Sequence, residues 1–259
     1  MTSDKPVVAA MRDAAYFDQW YTDMADSLAR DAIIARALGL PPELQFAGVL
    51  TLQGVAEVTE ELRLPQDGLL LDIACGRGGY GIEAARRTGA RLVGVDFSAV
   101  ALEQARSVSA RRLPVGRSEF RIGTLLATGL PTGIADGVMC VDSVQFAEPP
   151  LAALLEFRRL LTSGGRVALT CWEAVDPSDE RVPPRIHRVN LRRDLTEAGF
   201  VDVEVHEKPE WRQAERAIWE EAITAVDSDA AVRSLQAEGR RSLDTFDSLR
   251  RVFATATAP

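Results

Sequence analysis

The sequence predicts an α/β fold: a mostly parallel sheet with helices on both faces, set behind a helical N-terminal layer. Three observations carry that expectation. Residues Leu69-Leu70-Leu71-Asp72-Ile73-Ala74-Cys75-Gly76-Arg77-Gly78-Gly79-Tyr80-Gly81 read as a buried strand, a glycine-rich turn and the start of a helix. A second apolar run, Arg91 to Asp96, ends in an acid about 20 residues after Gly76, the spacing of a nucleotide-binding βαβ unit. Beyond it, strand-type and helix-type runs alternate, which calls for crossover helices between parallel neighbours.

More than 60 residues precede the first strand. Ala15, Tyr16, Trp20, Met24 and Leu28 recur at helical spacing, and Ile33, Ile34, Ala37 and Leu38 continue the stripe, so helix is expected from Met11 to about Leu64. Gly39-Leu40-Pro41-Pro42 interrupts it, and Pro42 is suited to open a further helix through Leu62. Residues 1–65 are therefore expected to form a helical cap. Such a cap either merely packs on the sheet or also lends Tyr16, Phe17, Trp20 or Tyr21 to a pocket.

The remaining span, 66–259, reads as one domain. Strand Leu69–Ile73, helix Tyr80–Thr88, strand Arg91–Asp96 and helix Ala99–Arg111 come first, with Ser98 as N-cap of the last. Phe120–Ile122 belongs to a short third strand and Ile134–Asp142 to a fourth. Pro149-Pro150 opens helix Leu151–Leu161, which Ser163-Gly164-Gly165 should stop, and Arg166–Trp172 is a fifth strand. The polar stretch Glu173–Pro184 reads as loop, Ile186–Ala198 as helix closed by Gly199, and Phe200–His206 as a sixth strand. A helical insert over 211–246, with Trp211, Ala214, Ala217, Ile218 and Ala222 on one face, precedes a final strand Arg251–Thr257.

A net charge of −8 argues against nucleic acid or an anionic membrane as the main partner. No apolar run reaches membrane-spanning length, and Met1–Ala10 lack a signal-peptide pattern, so a cytoplasmic protein is expected. Three cysteines without a CxxC spacing suit a reducing compartment. The sequence does not set the oligomeric state, and a homodimer is compatible with it.

Gly76-x-Gly78-x-x-Gly81 formally matches the dinucleotide fingerprint, but a lone match is weak. Asp72, four residues before Gly76, can pair with an ammonium group but would repel a pyrophosphate. Nothing basic follows Asp96 to meet a 2′-phosphate, and Asp96 itself can accept both hydroxyls of a ribose. The fourth strand ends in Asp142, and Leu160-Leu161-x-x-Gly164-Gly165-Arg166 precedes the fifth, a layout dehydrogenases do not need.

These blocks resemble, in order and spacing, the motifs of class I S-adenosylmethionine-dependent methyltransferases. They are Leu71–Gly78, Val93–Ser98, Gly129-Leu130-Pro131, Asp142-Ser143-Val144-Gln145 and Leu161-x-x-Gly164-Gly165-Arg166-Val167, within residues 66–207. The helical cap and insert further resemble small-molecule enzymes of bacterial secondary metabolism. The resemblance implies a Rossmann-like, seven-stranded sheet with its last strand antiparallel. It also implies that Asp72 faces the donor's amino group, that Ala74, Cys75, Gly76 and Gly78 hold its methionine moiety, and that Asp96 takes the ribose. Phe97 would lie against the adenine, with Thr124 and the Leu125 N–H near its edge. Two positions depart from the family pattern: Thr124 stands where an acid is common, and Phe146 near where many relatives carry a histidine.

Asp142, at the expected methyl-transfer point, is a candidate to orient donor or acceptor, or else simply braces its loop. His187, one of two histidines, is a candidate general base or a solvated loop residue; His206 reads as structural or exposed. Glu173 is a weaker candidate for Asp142's work. Trp172, Trp20, Tyr21, Trp211 and Trp219 could complete an apolar pocket or pack in the core. Cys75, Cys140 and Cys171 fall near three strand ends, yet a thiolate cluster would fill the donor's crevice, so no metal is expected. Arg181, Arg185, Arg188, Arg192 and Arg193 read as a solvated face, or as a seat for an acidic acceptor. The expected function is methyl transfer from S-adenosylmethionine to a small, largely apolar or aromatic acceptor, with oxygen preferred over nitrogen or carbon. The alternatives are a same-fold cofactor-binding protein catalysing a non-methylating reaction such as cyclisation, a nicotinamide oxidoreductase, or a binding protein without turnover.

Overall fold

The structure, a computed structural model, describes residues 14–25, 27–41, 46–226 and 229–259. Met11 and Pro42, where helices were expected to begin, lie outside these. Seven strands form one sheet: β1 (Leu69–Ile73), β2 (Arg91–Asp96), β3 (Ser118–Ile122), β4 (Ala135–Val141), β5 (Leu161–Ala174), β6 (Val201–Glu207) and β7 (Leu249–Thr257). The helices are α1 (Ala14–Ala25), α2 (Leu28–Leu38), α3 (Leu52–Glu61), α4 (Gly79–Thr88), α5 (Ala99–Arg112), α6 (Pro150–Leu160), α7 (Pro184–His187), α8 (Leu191–Glu197), α9 (Pro209–Thr224) and α10 (Ala230–Asp244).

The strand order is β3-β2-β1-β4-β5-β7-β6. Strands β1 to β5 pair in parallel, and β7 runs antiparallel to both β5 and β6. The Rossmann-like, seven-stranded expectation is met, including the antiparallel last strand. Order reverses between β1 and β4, so a crevice opens beyond the carboxyl ends of those two strands.

Alternation along β1 shows why its run is continuously apolar. Leu70 joins the core under α3, α4, α5 and α9, while Leu71 and Ile73 join the core under α6 and α8. A strand buried on both faces has no polar side to show. Asp72 shares a face with Leu70 and therefore points toward α4.

Several boundaries differ from expectation, each for a local reason. Helix α6 passes directly into β5, because Leu161 is already extended and only Gly164, at φ 80°, breaks the line. The helix expected over Ile186–Ala198 is split into α7 and α8. There Asn190 turns extended and accepts from Arg193 N at 3.0 Å, capping a new helix. The insert is likewise two helices, with Asp229 capping α10 through Val232 N at 2.7 Å.

Cap and insert meet over the carboxyl edge of the sheet. Helix α1 packs on α5 and α10, and α2 on α9. Ser27 Oγ donates to Asp229 Oδ2 at 2.7 Å, and Gln104 Nε2 on α5 donates to Tyr21 O at 3.0 Å. Asp31 on α2 reaches buried Arg77 of the glycine-rich turn at 3.4 Å. The cap is thus tied both to the turn and to the insert. Among the described residues, no helix is long and apolar enough to cross a membrane.

Candidate active site

The turn after β1 is shaped by backbone chemistry. Ala74, Gly76 and Gly78 all have positive φ, at 60°, 52° and 76°. A Cβ on Gly76 would lie 2.7 Å from the Tyr21 hydroxyl, so the bare backbone lets the cap close onto the turn. Asp96 holds the turn from the side: Gly76 N donates to its Oδ2 at 2.8 Å and Ser98 N to its Oδ1 at 2.9 Å. The Phe97 N–H also engages it, and since a carboxylate offers about four lone-pair sites, capacity remains for a hydroxyl. Burial raises the Asp96 pKa against the pull of those N–H groups.

Asp72 lies behind the turn. Gly81 N donates to its Oδ2 at 3.0 Å, satisfying one of the free N–H groups of the α4 N-terminus. Burial pushes the carboxyl up to about 7, opposed by the Gly81 N–H and reinforced by Asp96. A folded pKa above the unfolded value near 3.8 favours the protonated, folded state. Stability is therefore expected to fall as pH rises from about 4 to about 7, by at most about 4 kcal/mol from this group. Asp72→Asn, whose Oδ1 can still accept from Gly81, should match the parent in thermal melts below about pH 4 and exceed it near pH 8. A Cβ on Gly81 would lie 2.5 Å from Asp72 Oδ2. Gly81→Ala should accordingly lose about 1–3 kcal/mol in denaturant melts, since the crowding cannot relax into open space.

Beyond the turn lies a cavity of about 310 Å³. Ala74, Cys75, Gly76 and Gly79 form one end of it, with Asp142, Ser143 and Gln145 after β4. Ala74 and Asp142, the two residues flanking the crevice, both take positive φ without being glycine, the latter at 55°. Tyr16, Phe17, Trp20 and Tyr21 of α1 form a wall, and Phe146, Trp172, Trp219 and Phe246 close the far side. Phe17 bridges the two ends, meeting Phe97 at 5.2 Å and Phe146 at 6.4 Å between ring centroids.

A buried ionic group floors the cavity. Arg251 of β7, fully buried, sets Nη2 2.9 Å from Asp142 Oδ1 and Nε 3.9 Å from Glu215 Oε2. Its guanidinium lies 4.1 Å from the Trp172 ring centroid. The Arg251 pKa is raised; desolvation opposes this, but Asp142 and Glu215 outweigh it. Asp142 is heavily engaged: Thr170 Oγ1 donates at 2.7 Å and Val49 N at 3.2 Å. Beside it, Leu50 N donates to the Tyr80 hydroxyl at 3.1 Å, which lays segment 46–50 across the cavity. Gln145 Nε2 donates to Asp142 O at 2.6 Å, and its buried Oε1 has no partner among the described residues.

Of the sequence candidates, Ala74, Cys75, Gly76 and Asp142 line this cavity. Gly78, Asp72 and Asp96 sit behind the turn, and Phe97 lies beside it under Phe17. Thr124 is exposed, its hydroxyl accepting from Ala127 N at 3.0 Å; it and half-buried Leu125 lie outside the cavity lining. His187 is also absent from the lining, because its Nε2 is 2.7 Å from Asp179 O, and the structure does not bring it to Asp142. Glu173 caps α8 through Leu191 N at 2.7 Å and pairs with Arg250. Trp20, Tyr21, Trp172 and Trp219 reach the cavity, whereas Trp211 is core. Arg181, Arg188 and Arg193 are paired with acids; Arg185 instead enters the lining.

Sequence reading missed Glu215 and Arg251. A signal for Glu215 exists: it stands four residues after Trp211 and four before Trp219, on the stripe Trp211, Ile218, Ala222. Ala217, expected on that face, is exposed. Arg251 is a lone charge in the buried part of β7.

A crevice at a strand-order reversal, a bare-backbone turn after β1 and an acid closing β2 define a nucleoside-binding α/β protein. The methyltransferase domain family matches residues 71–169. O-methyltransferase resE of Aspergillus sclerotiorum is 23% identical over 197 residues, 72% of this chain and 74% of that one. Phosphoethanolamine N-methyltransferase 2 of Haemonchus contortus, solved with phosphomonomethylethanolamine and S-adenosylhomocysteine, superposes with a TM-score of 0.74 at 21% identity. That match covers 98% of this chain, which spans 61% of the Haemonchus enzyme. The [4+2]-cyclase SpnF gives 0.73 at 19% identity, covering 95% of this chain and 96% of its own. Residues 71–169 therefore carry a methyltransferase domain, and the fold of the chain is that of solved S-adenosylmethionine-dependent methyltransferases. The residues present fit that cofactor: Asp96 keeps lone-pair capacity for ribose hydroxyls, and the bare backbone of the turn after β1 lets a ligand approach closely.

Proposed function

We propose that the protein methylates a hydroxyl of a small, largely apolar or aromatic metabolite of secondary metabolism, working in the cytoplasm. One observation carries this reading: a single cavity runs from the turn Ala74–Gly76 to a chamber walled by aromatic rings of cap and insert. Bound S-adenosylmethionine would supply a methyl group activated on a sulfonium centre. Asp96 would hold the ribose, and the turn would seat the methionine moiety. Asp142, fixed by Thr170 and Arg251 at Oδ1 and by Val49 N at Oδ2, orients the junction between donor and acceptor. Phe17, Trp20 and Tyr21 exclude water above the reacting atoms, so positioning supplies most of the rate.

The test is transfer of labelled methyl from S-adenosylmethionine across a library of hydroxylated, amino and carbon-acid metabolites. Turnover of hydroxylated aromatics above the others supports the reading. Donor binding with no transfer to any acceptor would favour a second reading, a cofactor-binding cyclase. That reading draws on the likeness to SpnF and on the lack of a histidine in the described cavity lining.

A further inference from the structure

Glu215 stands at the acceptor end of the cavity with its charge only loosely matched. The residue is 4% exposed and lines the chamber. Trp172 Nε1 donates to Oε2 at 2.9 Å, and Trp219 Nε1 to Oε1 at 3.2 Å. Trp172 Nε1 also reaches Oε1 at 3.2 Å, so Oε1 takes both indoles and the open lone pair is on Oε2. Arg251 is the close partner of Asp142, at 2.9 Å, and stays 3.9 Å from Glu215. One guanidinium therefore faces two buried carboxylates, and Glu215 stands a guanidinium's width from Asp142. Around it, the flat rings of Phe146, Trp172, Trp219 and Phe246 form the chamber.

Resting on the oxygen-methylation reading, we propose that Glu215 is the general base and that phenols are the acceptor class. The phenolic oxygen bonds to the methyl carbon as the carbon–sulfur bond breaks. The bonding pair stays on sulfur, and the hydroxyl proton passes to a Glu215 carboxylate oxygen. Burial raises the Glu215 pKa, with Arg251 opposing, which makes this carboxylate a stronger base than a solvated one. Other charged or titratable groups around the chamber are Tyr16 and Tyr21 on α1, Arg30 on α2, Cys75 in the turn, Tyr80 on α4, Asp142 after β4, Arg185 on α7, Arg212 on α9, and Glu238 and Arg241 on α10, with Arg251 of β7 against Glu215.

The experiment compares the parent, Glu215→Gln and Glu215→Asp with 4-nitrophenol, catechol and 2-naphthol as probes. In the parent, kcat should rise with pH as Glu215 ionises. In Glu215→Gln, kcat should fall about 100-fold or more and lose that acidic limb, while affinity for S-adenosylhomocysteine, which reports an intact site, stays unchanged. Glu215→Asp should recover part of the rate. Independently of turnover, 4-nitrophenol bound beside S-adenosylhomocysteine should absorb toward the phenolate band in the parent and as the neutral phenol in Glu215→Gln. A Gln variant retaining kcat within a few-fold, or a bound probe whose spectrum ignores the substitution, overturns the role of Glu215 while leaving oxygen methylation standing. A parent that binds and methylates none of the phenols but other hydroxyls overturns the phenol class. One that methylates only amines or carbon acids overturns the oxygen reading and this inference together.

Discussion

Arg251→Met is expected to lower stability by about 3–5 kcal/mol, read as a lower denaturant midpoint at an unchanged slope. The reason is the charge left behind. Asp142 and Glu215 share this guanidinium in a site closed to solvent, and its removal strands both carboxylates without a counter-ion. The long aliphatic Met side chain refills most of the volume, so the loss reports electrostatics more than a cavity. Combining Arg251→Met with Glu215→Gln should lose less than the sum of the two, because one stranded carboxylate has gone. Strict additivity would show that Glu215 does not feel Arg251.

Asp96→Ala should weaken S-adenosylmethionine binding by about 100-fold or more in calorimetry, with the fold retained. Two effects combine. The ribose would lose its acceptors, each hydrogen bond to a charged group being worth about 1.5–3 kcal/mol. The turn would also lose the anchor between Asp96 Oδ2 and Gly76 N, so its geometry relaxes. Asp96→Asn, which keeps one acceptor oxygen, should fall between. Nicotinamide dinucleotides should bind none of the three proteins.

The fold was legible because its determinants are local. Leu69–Ile73 and Arg91–Asp96 announce themselves as continuous apolar runs, and both strands occupy those bounds in the structure. The candidate site around Ala74–Gly76 was legible for the same reason: a strand end, a turn and an acid are neighbours in the chain. Segmentation of the helices was less so, since the breaks at Asn190 and before Asp229 depend on a single capping side chain each. The far wall and floor of the cavity were not legible. Asp142, Glu215 and Arg251 come from three distant stretches, and only the folding of the insert against β7 joins them. His187 shows the converse: its place in the sequence suggested substrate contact, yet its ring nitrogen lies 2.7 Å from Asp179 O.

A crystal structure with S-adenosylhomocysteine tests the central claim most directly. The account predicts the ribose hydroxyls within hydrogen-bond distance of the Asp96 carboxylate, the methionine moiety over Ala74–Gly76, and the sulfur facing the aromatic chamber beside Asp142. A nucleoside seated away from Asp96, or a sulfur directed out of that chamber, would contradict it.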